Sequence, residues 1–363
     1  MDSSWIHLLV CVMKIIIRTL ISVILLFTAT IGTDAQSVSS DGMLTDSVAA
    51  PASKPGLGKR LDNKLTDIYF KLRYDTTYVA RPKQKWLLRL LGNYAGNYIH
   101  AKGTVNNVWS KYDLHTRRNT TIGLEVNYCD LVATLSINPD KLRGVYDDFE
   151  LNLEYHSSMF SIDFSYQHST SLSGNIKLEN MDHLNEDGLN MRVINFAGYY
   201  TFNHRRFSFP AALYQNYYQR RSAGSWLAGL SFQGGNIKTT EELKERSPQA
   251  PEVQITFNNF ALGGGYGYNF VFGKRAQWLL HLSALPSVVV YKHNKLILNQ
   301  NEKRDHGLSL NMIFNERAAL VYHFSPRYFI GTSVIISNSI FDNENITVNQ
   351  NKWFSRIFFG FRL

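Results

Sequence analysis

The chain has 363 residues, of which 44% are hydrophobic and 13% aromatic but only 18% charged, with a formal net charge of +9. So many rings exclude a disordered chain, and two cysteines exclude a disulfide framework. A mean hydropathy of −0.20 with a single long apolar run excludes a helical membrane bundle.

The apolar run comes first. Lys14 and Arg18 precede or punctuate it, Leu20 to Phe27 form its core, and small and polar residues lead to Ala35-Gln36. A charged start, a short apolar core and a small-residue end predict a cleaved signal peptide over residues 1–35, with Met13 the more natural start. Residues 36–85 open on a Ser-, Ala- and Pro-rich stretch and are expected to form a flexible periplasmic lead-in to a barrel over 86–363.

From Trp86 the texture changes to alternation in twos. Phe149, Leu151, Leu153 and Tyr155 alternate with Glu150, Asn152, Glu154 and His156; beyond Ser157-Ser158, Phe160, Ile162, Phe164 and Tyr166 alternate with Ser161, Asp163, Ser165 and Gln167. Successive side chains of a strand point to opposite faces, so each segment has one apolar and one polar face. About twelve such segments are predicted, at 86–101, 119–129, 131–138, 148–156, 159–168, 190–203, 219–234, 254–271, 277–292, 307–324, 327–339 and 352–363. Each is near or above the roughly 9–11 residues that cross a bilayer as a tilted strand.

The links alternate as well. Cys129-Asp130, Ser157-Ser158, Gly273-Lys274-Arg275 and Ser325-Pro326 are short, whereas 169–189, 235–253 and 293–306 are long. Short periplasmic turns and long extracellular loops are the pattern of outer-membrane barrels. The predicted fold is therefore all-β: a transmembrane antiparallel β-barrel of about twelve strands, in the outer membrane of a Gram-negative bacterium. One link breaks the pattern. Residues 204–218 should be a short turn but are long, and Pro210 argues against a central strand and for the start of a short helix. This segment is expected to be a periplasmic cap or an inward plug, with two ordinary strands bulged at Pro210 as the competing arrangement. Gly263, Gly265 and Gly267 share one face of their strand and would admit the close approach of this segment or of another backbone. Their neighbours Tyr266, Tyr268 and Phe270 face the other way, as an aromatic girdle would.

The chain ends WFSRIFFGFRL, with Ile357, Phe359, Phe361 and Leu363 on one face. This end resembles the assembly signal of bacterial outer-membrane barrels, with Leu where Phe is usual, and so implies the barrel-assembly machinery as a partner. Three further stretches are Asp75-Thr-Thr-Tyr78 with Arg81-Pro-Lys-Gln-Lys-Trp86, Phe207-Ser-Phe-Pro-Ala-Ala212, and Arg221-Ser-Ala-Gly-Ser-Trp226. Through them, roughly residues 58–363 resemble an uncharacterised domain-of-unknown-function family of Bacteroidetes outer-membrane β-barrels. That resemblance implies location and architecture and carries no catalytic residues.

With the apolar faces assigned to lipid, the lumen-lining candidates are Arg89, Glu125, Glu150, Glu154, Asp163, Arg192, Arg317 and Arg356. These charges either line a water-filled pore or knit an electrostatic plug. The expected role is a pore, the binding of a small solute, or structural support of the envelope, without covalent chemistry. Expected partners are outer-membrane lipids and lipopolysaccharide. Two alternatives stand beside it. One is an outer-membrane lipid hydrolase or lipid-modifying enzyme using His168 with Thr170 or Ser171, since a His next to a hydroxyl at a strand end can deprotonate it. The other is a secreted soluble β-sandwich that binds glycan. No cofactor or metal is expected: eleven histidines are scattered without metal-site spacing. Nucleic acid is not expected either, because the basic pairs are spread over many segment ends.

Overall fold

The computed structural model describes residues 57–363 apart from residues 72, 106–107, 117–118, 140–148, 179–180, 247–251, 299–300, 308–310 and 344–345. The signal peptide and the first part of the lead-in fall outside the described residues. In chain order come α1 (Leu57–Phe70), β1 (Val79–Ala80), β2 (Trp86–Val105), β3 (Val108–Thr116), β4 (Asn119–Tyr128), β5 (Leu131–Ile137) and β6 (Phe149–His156). Then follow β7 (Phe160–Leu178), β8 (Met181–Thr201), α2 (Phe209–Leu213), β9 (Tyr218–Gln219), β10 (Ala223–Thr239) and α3 (Glu241–Arg246). The last are β11 (Val253–Phe272), β12 (Trp278–Leu298), β13 (Asn301–Gly307), β14 (Met312–His323), β15 (Tyr328–Asn343) and β16 (Ile346–Arg362).

Twelve of these strands close a barrel. Each pairs antiparallel with its neighbours in the order β2-β4-β5-β6-β7-β8-β10-β11-β12-β14-β15-β16. The ring is sealed by β16 against β2, from Arg362 opposite Leu87 to Ile346 opposite Gly103. Closure leaves no open edge, which a sheet surrounded by lipid requires. Trp86 and Leu363 meet at one end, where the Leu363 N–H donates to the Trp86 carbonyl at 2.9 Å. The twelve expected segments are these twelve strands, and the even parity holds.

The outer face is apolar on every strand. Leu90, Ile122, Leu135, Leu153, Ile162, Ile194, Leu230, Leu262, Leu282, Leu320, Ile330 and Ile357, one from each, are all exposed. A water-soluble protein does not leave so continuous an apolar belt uncovered. Aromatic rings pair side by side at the short-turn end: Trp86 with Tyr128, Phe160 with Tyr200, Trp226 with Tyr266, and Trp278 with Tyr322. They form the girdle expected at a membrane interface.

Two regions differ from expectation. Residues 57–85, the second part of the lead-in, hold α1 and β1, and β1 pairs with β9. Of three long links, 169–189 is mostly strand, 293–306 is strand at 293–298 and 301–306, and 235–253 is strand at 235–239 and again at Val253. Those segments carry apolar residues without strict alternation, as at Leu296-Ile297-Leu298, so the period of two fades while backbone pairing continues. β3 also pairs with both β2 and β7, bridging the gap above the shorter strands β4, β5 and β6.

Candidate functional site: a stoppered barrel interior

The segment expected to be a cap or plug lies inside the barrel. Phe207, Ala211, Ala212, Gln215 and Tyr217 are all about fully buried, and the rings and small side chains pack on Leu87, Leu279, Val321, Phe329 and Phe358 of the wall. The alternative of two strands bulged at Pro210 is therefore overturned. The local sequence dictates a helix: the Ser208 hydroxyl accepts from the Ala211 N–H at 3.2 Å as an N-cap, and Pro210 stands in the first turn, where its missing N–H costs nothing. Gly267 makes room for it, because a Cβ there would stand 3.1 Å from the Phe207 ring.

Irregular backbone within a membrane-spanning barrel needs a partner for each polar group. The wall supplies them. Arg89 donates at 2.7 Å both to the Leu213 carbonyl and to the Gln215 side chain. Its other nitrogens clasp Glu125 in two parallel bonds, with Nε to Oε1 at 2.6 Å. Arg362 donates to the Gln215 carbonyl at 2.7 Å, and Asn269 to the Ser208 carbonyl at 2.9 Å. Arg356 completes the cluster, 3.6 Å from Glu125 and donating to Asn93 at 2.9 Å.

Below, the turn between β4 and β5 latches the segment. Cys129 and Asp130 both have positive φ, 49° and 74°, a conformation that costs a non-glycine residue energy. Asp130 is held by Arg81 at 2.9 Å and by Asn216 of the plug at 2.8 Å. The Arg81 guanidinium lies between the rings of Tyr69 and Tyr217, 3.9 and 4.1 Å from their centres. Burial pushes the Asp130 carboxyl up to about 6, against the opposing pull of Arg81, and pushes the Cys129 thiol up to about 11.

Above the plug is a cavity of about 300 Å³. Its floor is Leu213 and Tyr214, and its walls carry Glu154, Asp163, Arg317, Arg356 and Lys352. The His156 ring stacks on Tyr214, with Nε2 3.3 Å from Glu154 and 3.6 Å from Asp163. Arg317 donates to the Tyr199 hydroxyl at 2.6 Å and stands 3.9 Å from Asp163. Higher still, Ala101, Leu114, Leu189, Met191, Val193 and Ile237 pack as a separate apolar cluster.

Of the residues expected to line the lumen, Arg89 and Glu125 come together under the plug, with Arg356 beside them. Glu154, Asp163 and Arg317 come together on the chamber wall. Glu150 occupies the same inward register of β6 as Glu154, and its side chain is outside the described residues. Arg192 is a correction. It is exposed between the buried Met191 and Val193, on the face of Ile194 and Phe196, so it points outward. Its parity with Ile194 and Phe196 places it outside, about midway along β8. His168 sits opposite that arginine on β7, and the side chains of Thr170 and Ser171 are outside the described residues. Sequence reasoning missed Arg81, Asp130, Gln215 and Arg362 as parts of the site, since their partners are far along the chain.

A family model described as Domain of unknown function (DUF4421) matches residues 73–363. The chain belongs to this DUF4421 family. No curated protein matches the chain. Among solved structures, the DUF4421 chain is similar to the outer membrane protease OmpT from Escherichia coli: 6% identity, 79% of this chain and 100% of that one covered, TM-score 0.43. It is also similar to the translocator domain of the autotransporter NalP from Neisseria meningitidis, at 7% identity, 84% and 96% coverage and TM-score 0.27. A third is the outer membrane protein OprG from Pseudomonas aeruginosa, at 9% identity, 80% and 99% coverage and TM-score 0.27. At these identities no residue of this chain inherits a role from theirs.

Proposed function

We propose that this DUF4421 protein is an integral outer-membrane β-barrel stoppered from its periplasmic end. It holds a small solute above the stopper, or braces the envelope, instead of conducting freely. The observation that carries this reading is the burial of residues 207–217 in the lumen, with their carbonyls bonded to Arg89, Arg362 and Asn269. The apolar belt and the aromatic girdle support the membrane location, with membrane lipids and lipopolysaccharide against the outer face. The closing strand β16 is the element that the assembly machinery would read, and a Bacteroidetes host is part of the same reading.

Planar-bilayer recording tests it. The intact protein is expected to give a silent bilayer, and replacing residues 207–217 with a short Gly-Ser linker is expected to open a steady current. Arg362→Ala, which frees one anchor while keeping the plug, is expected to give intermittent openings. A steady current from the unaltered protein would overturn the stopper. Full solubility without detergent would overturn the membrane location.

A further inference from the structure

We infer that the chamber above the plug is a binding site for a small zwitterion of amino-acid or dipeptide size, its ammonium held by Asp163 and its carboxylate by Lys352. This rests on the stoppered reading only for the floor of the chamber, Leu213 and Tyr214.

The charges of the interior fall into two groups. Those under the plug are matched: Arg89 is clasped by Glu125, and Arg356 lies against Glu125 and Asn93. Those of the chamber are not. The Asp163 carboxylate accepts no side-chain hydrogen bond among the described residues, and its Oδ1 is buried without a partner. The nearest side-chain nitrogens are His156 Nε2 at 3.6 Å and that of Arg317 at 3.9 Å, and each makes a shorter contact elsewhere, to Glu154 and to Tyr199. Lys352 lines the same cavity from β16 and has neither an ion pair nor a hydrogen bond among the described residues. An underbonded charge inside a protein costs free energy, and a complementary ionic group bound there recovers it.

Topology sets the two groups apart. Asp163 is on β7 and Lys352 on β16, five strands apart around one side of the ring and seven around the other. In a ring of twelve these are facing walls, so one ligand must carry the opposite charges at its two ends. Between them, Gln233 and Asn315 line the cavity with side-chain amides not bonded to other described residues, which suits the peptide group of a dipeptide. A volume of about 300 Å³ fits a molecule of that size and lies at the small end of ligand pockets. A simple anion would meet Glu154 and Asp163, and a simple cation would meet Arg317 and Lys352. A neutral sugar would leave both charges as they are.

The test is calorimetric titration of the detergent-folded, full-length protein. The probes are alanyl-alanine, its N-acetylated form, its C-terminal amide, the doubly capped peptide, and maltose. Alanyl-alanine is expected to bind at least tenfold more tightly than the doubly capped peptide or maltose. Asp163→Asn is expected to weaken the amide probe at least tenfold and leave the N-acetyl probe unchanged. Lys352→Gln is expected to do the reverse. A merely structural role for either residue would weaken both probes together. Equal binding of maltose or of the capped peptide, no binding of alanyl-alanine, or variants that fail to separate the two singly charged probes would overturn the site. Heat-modifiable gel migration confirms that each variant is folded. Conductance of the same preparation reports on the stopper separately: a conducting barrel that binds alanyl-alanine keeps the site and loses the stopper, and a silent one that does not bind loses the site alone.

Discussion

The plug clamp and the chamber wall are built from the same residue types a short distance apart in one barrel, yet they are finished differently. Around the clamp, Arg89 and Glu125 are completely shielded from solvent and every nitrogen of the Arg89 guanidinium has a partner. On the chamber wall, Asp163 keeps 24% of its side chain exposed and Lys352 has no partner among the described residues. Inside a low-dielectric shell, a matched charge fixes structure, while an unmatched one stores an interaction for something else. The clamp therefore reads as architecture and the wall as a place where a solute can be met. Arginine suits the first task because its planar fork serves a carboxylate and a carbonyl at once; the single ammonium of Lys352 suits the second.

The sharpest way to break this comparison is at the clamp. Arg89→Met leaves Glu125 buried without its forked partner and uncaps the Leu213 carbonyl and the Gln215 side chain. Breaking a buried pair from one side is expected to cost about 3–5 kcal/mol. Chemical denaturation in detergent would read this as a much lower midpoint, and the double variant Arg89→Met with Glu125→Leu should recover a large part. If the single variant unfolds like the original, the clamp is not architecture.

The latch at Asp130 gives a smaller effect with a defined sign. Its carboxyl is raised to about 6, above the ordinary value of about 3.9, so the folded state binds the proton more tightly than the unfolded chain. Stability from this group is full below about pH 4 and is lost as pH rises through 6. A two-unit displacement corresponds to about 3 kcal/mol. The protein should unfold at lower denaturant at pH 7.5 than at pH 5, and Asp130→Asn should flatten that slope. A slope of the opposite sign would show that Arg81 wins over burial.

What the sequence made legible follows from where information is local. Phe160, Ile162 and Phe164 alternate with Ser161, Asp163 and Ser165, so the facing of β7 can be read from six residues. Its upper half is harder to read, because only Leu172, Ile176 and Leu178 interrupt the polar and small residues of 169–178, and pairing with β8 and β3 holds it extended. Pro210 left a plug and a bulged pair of strands both open, and Gly263, Gly265 and Gly267 signalled a close approach. The bonds that seat the plug were not legible: Arg81 meets Asp130 at a separation of 49 residues, and Arg362 meets Gln215 at 147. Such pairs are fixed by closure of the ring, and no local pattern carries them. Arg192 shows the remaining hazard. Its charge suggests the lumen while its parity with Ile194 and Phe196 dictates the outer face, where a long arginine side chain can snorkel to the headgroups.

The smallest effect is expected on the chamber wall, and it is the one that separates the two regions most cleanly. Asp163→Asn keeps the shape of the side chain and removes a charge that has no hydrogen-bond donor to lose. Its weak pairing with Arg317, 3.9 Å away, and with His156, 3.6 Å away, is all that goes. Neither contact is a hydrogen bond, and removing an underbonded buried charge also removes its desolvation cost, so the unfolding midpoint should stay nearly where it was. The Arg89→Met variant should lie far below it on the same axis. A large loss of stability in Asp163→Asn would mean that the chamber wall is braced by charge as the clamp is, and the distinction between them would disappear. A midpoint held or slightly raised would mean that the fold tolerates this carboxylate without needing it, which is the condition for its being free to hold a ligand.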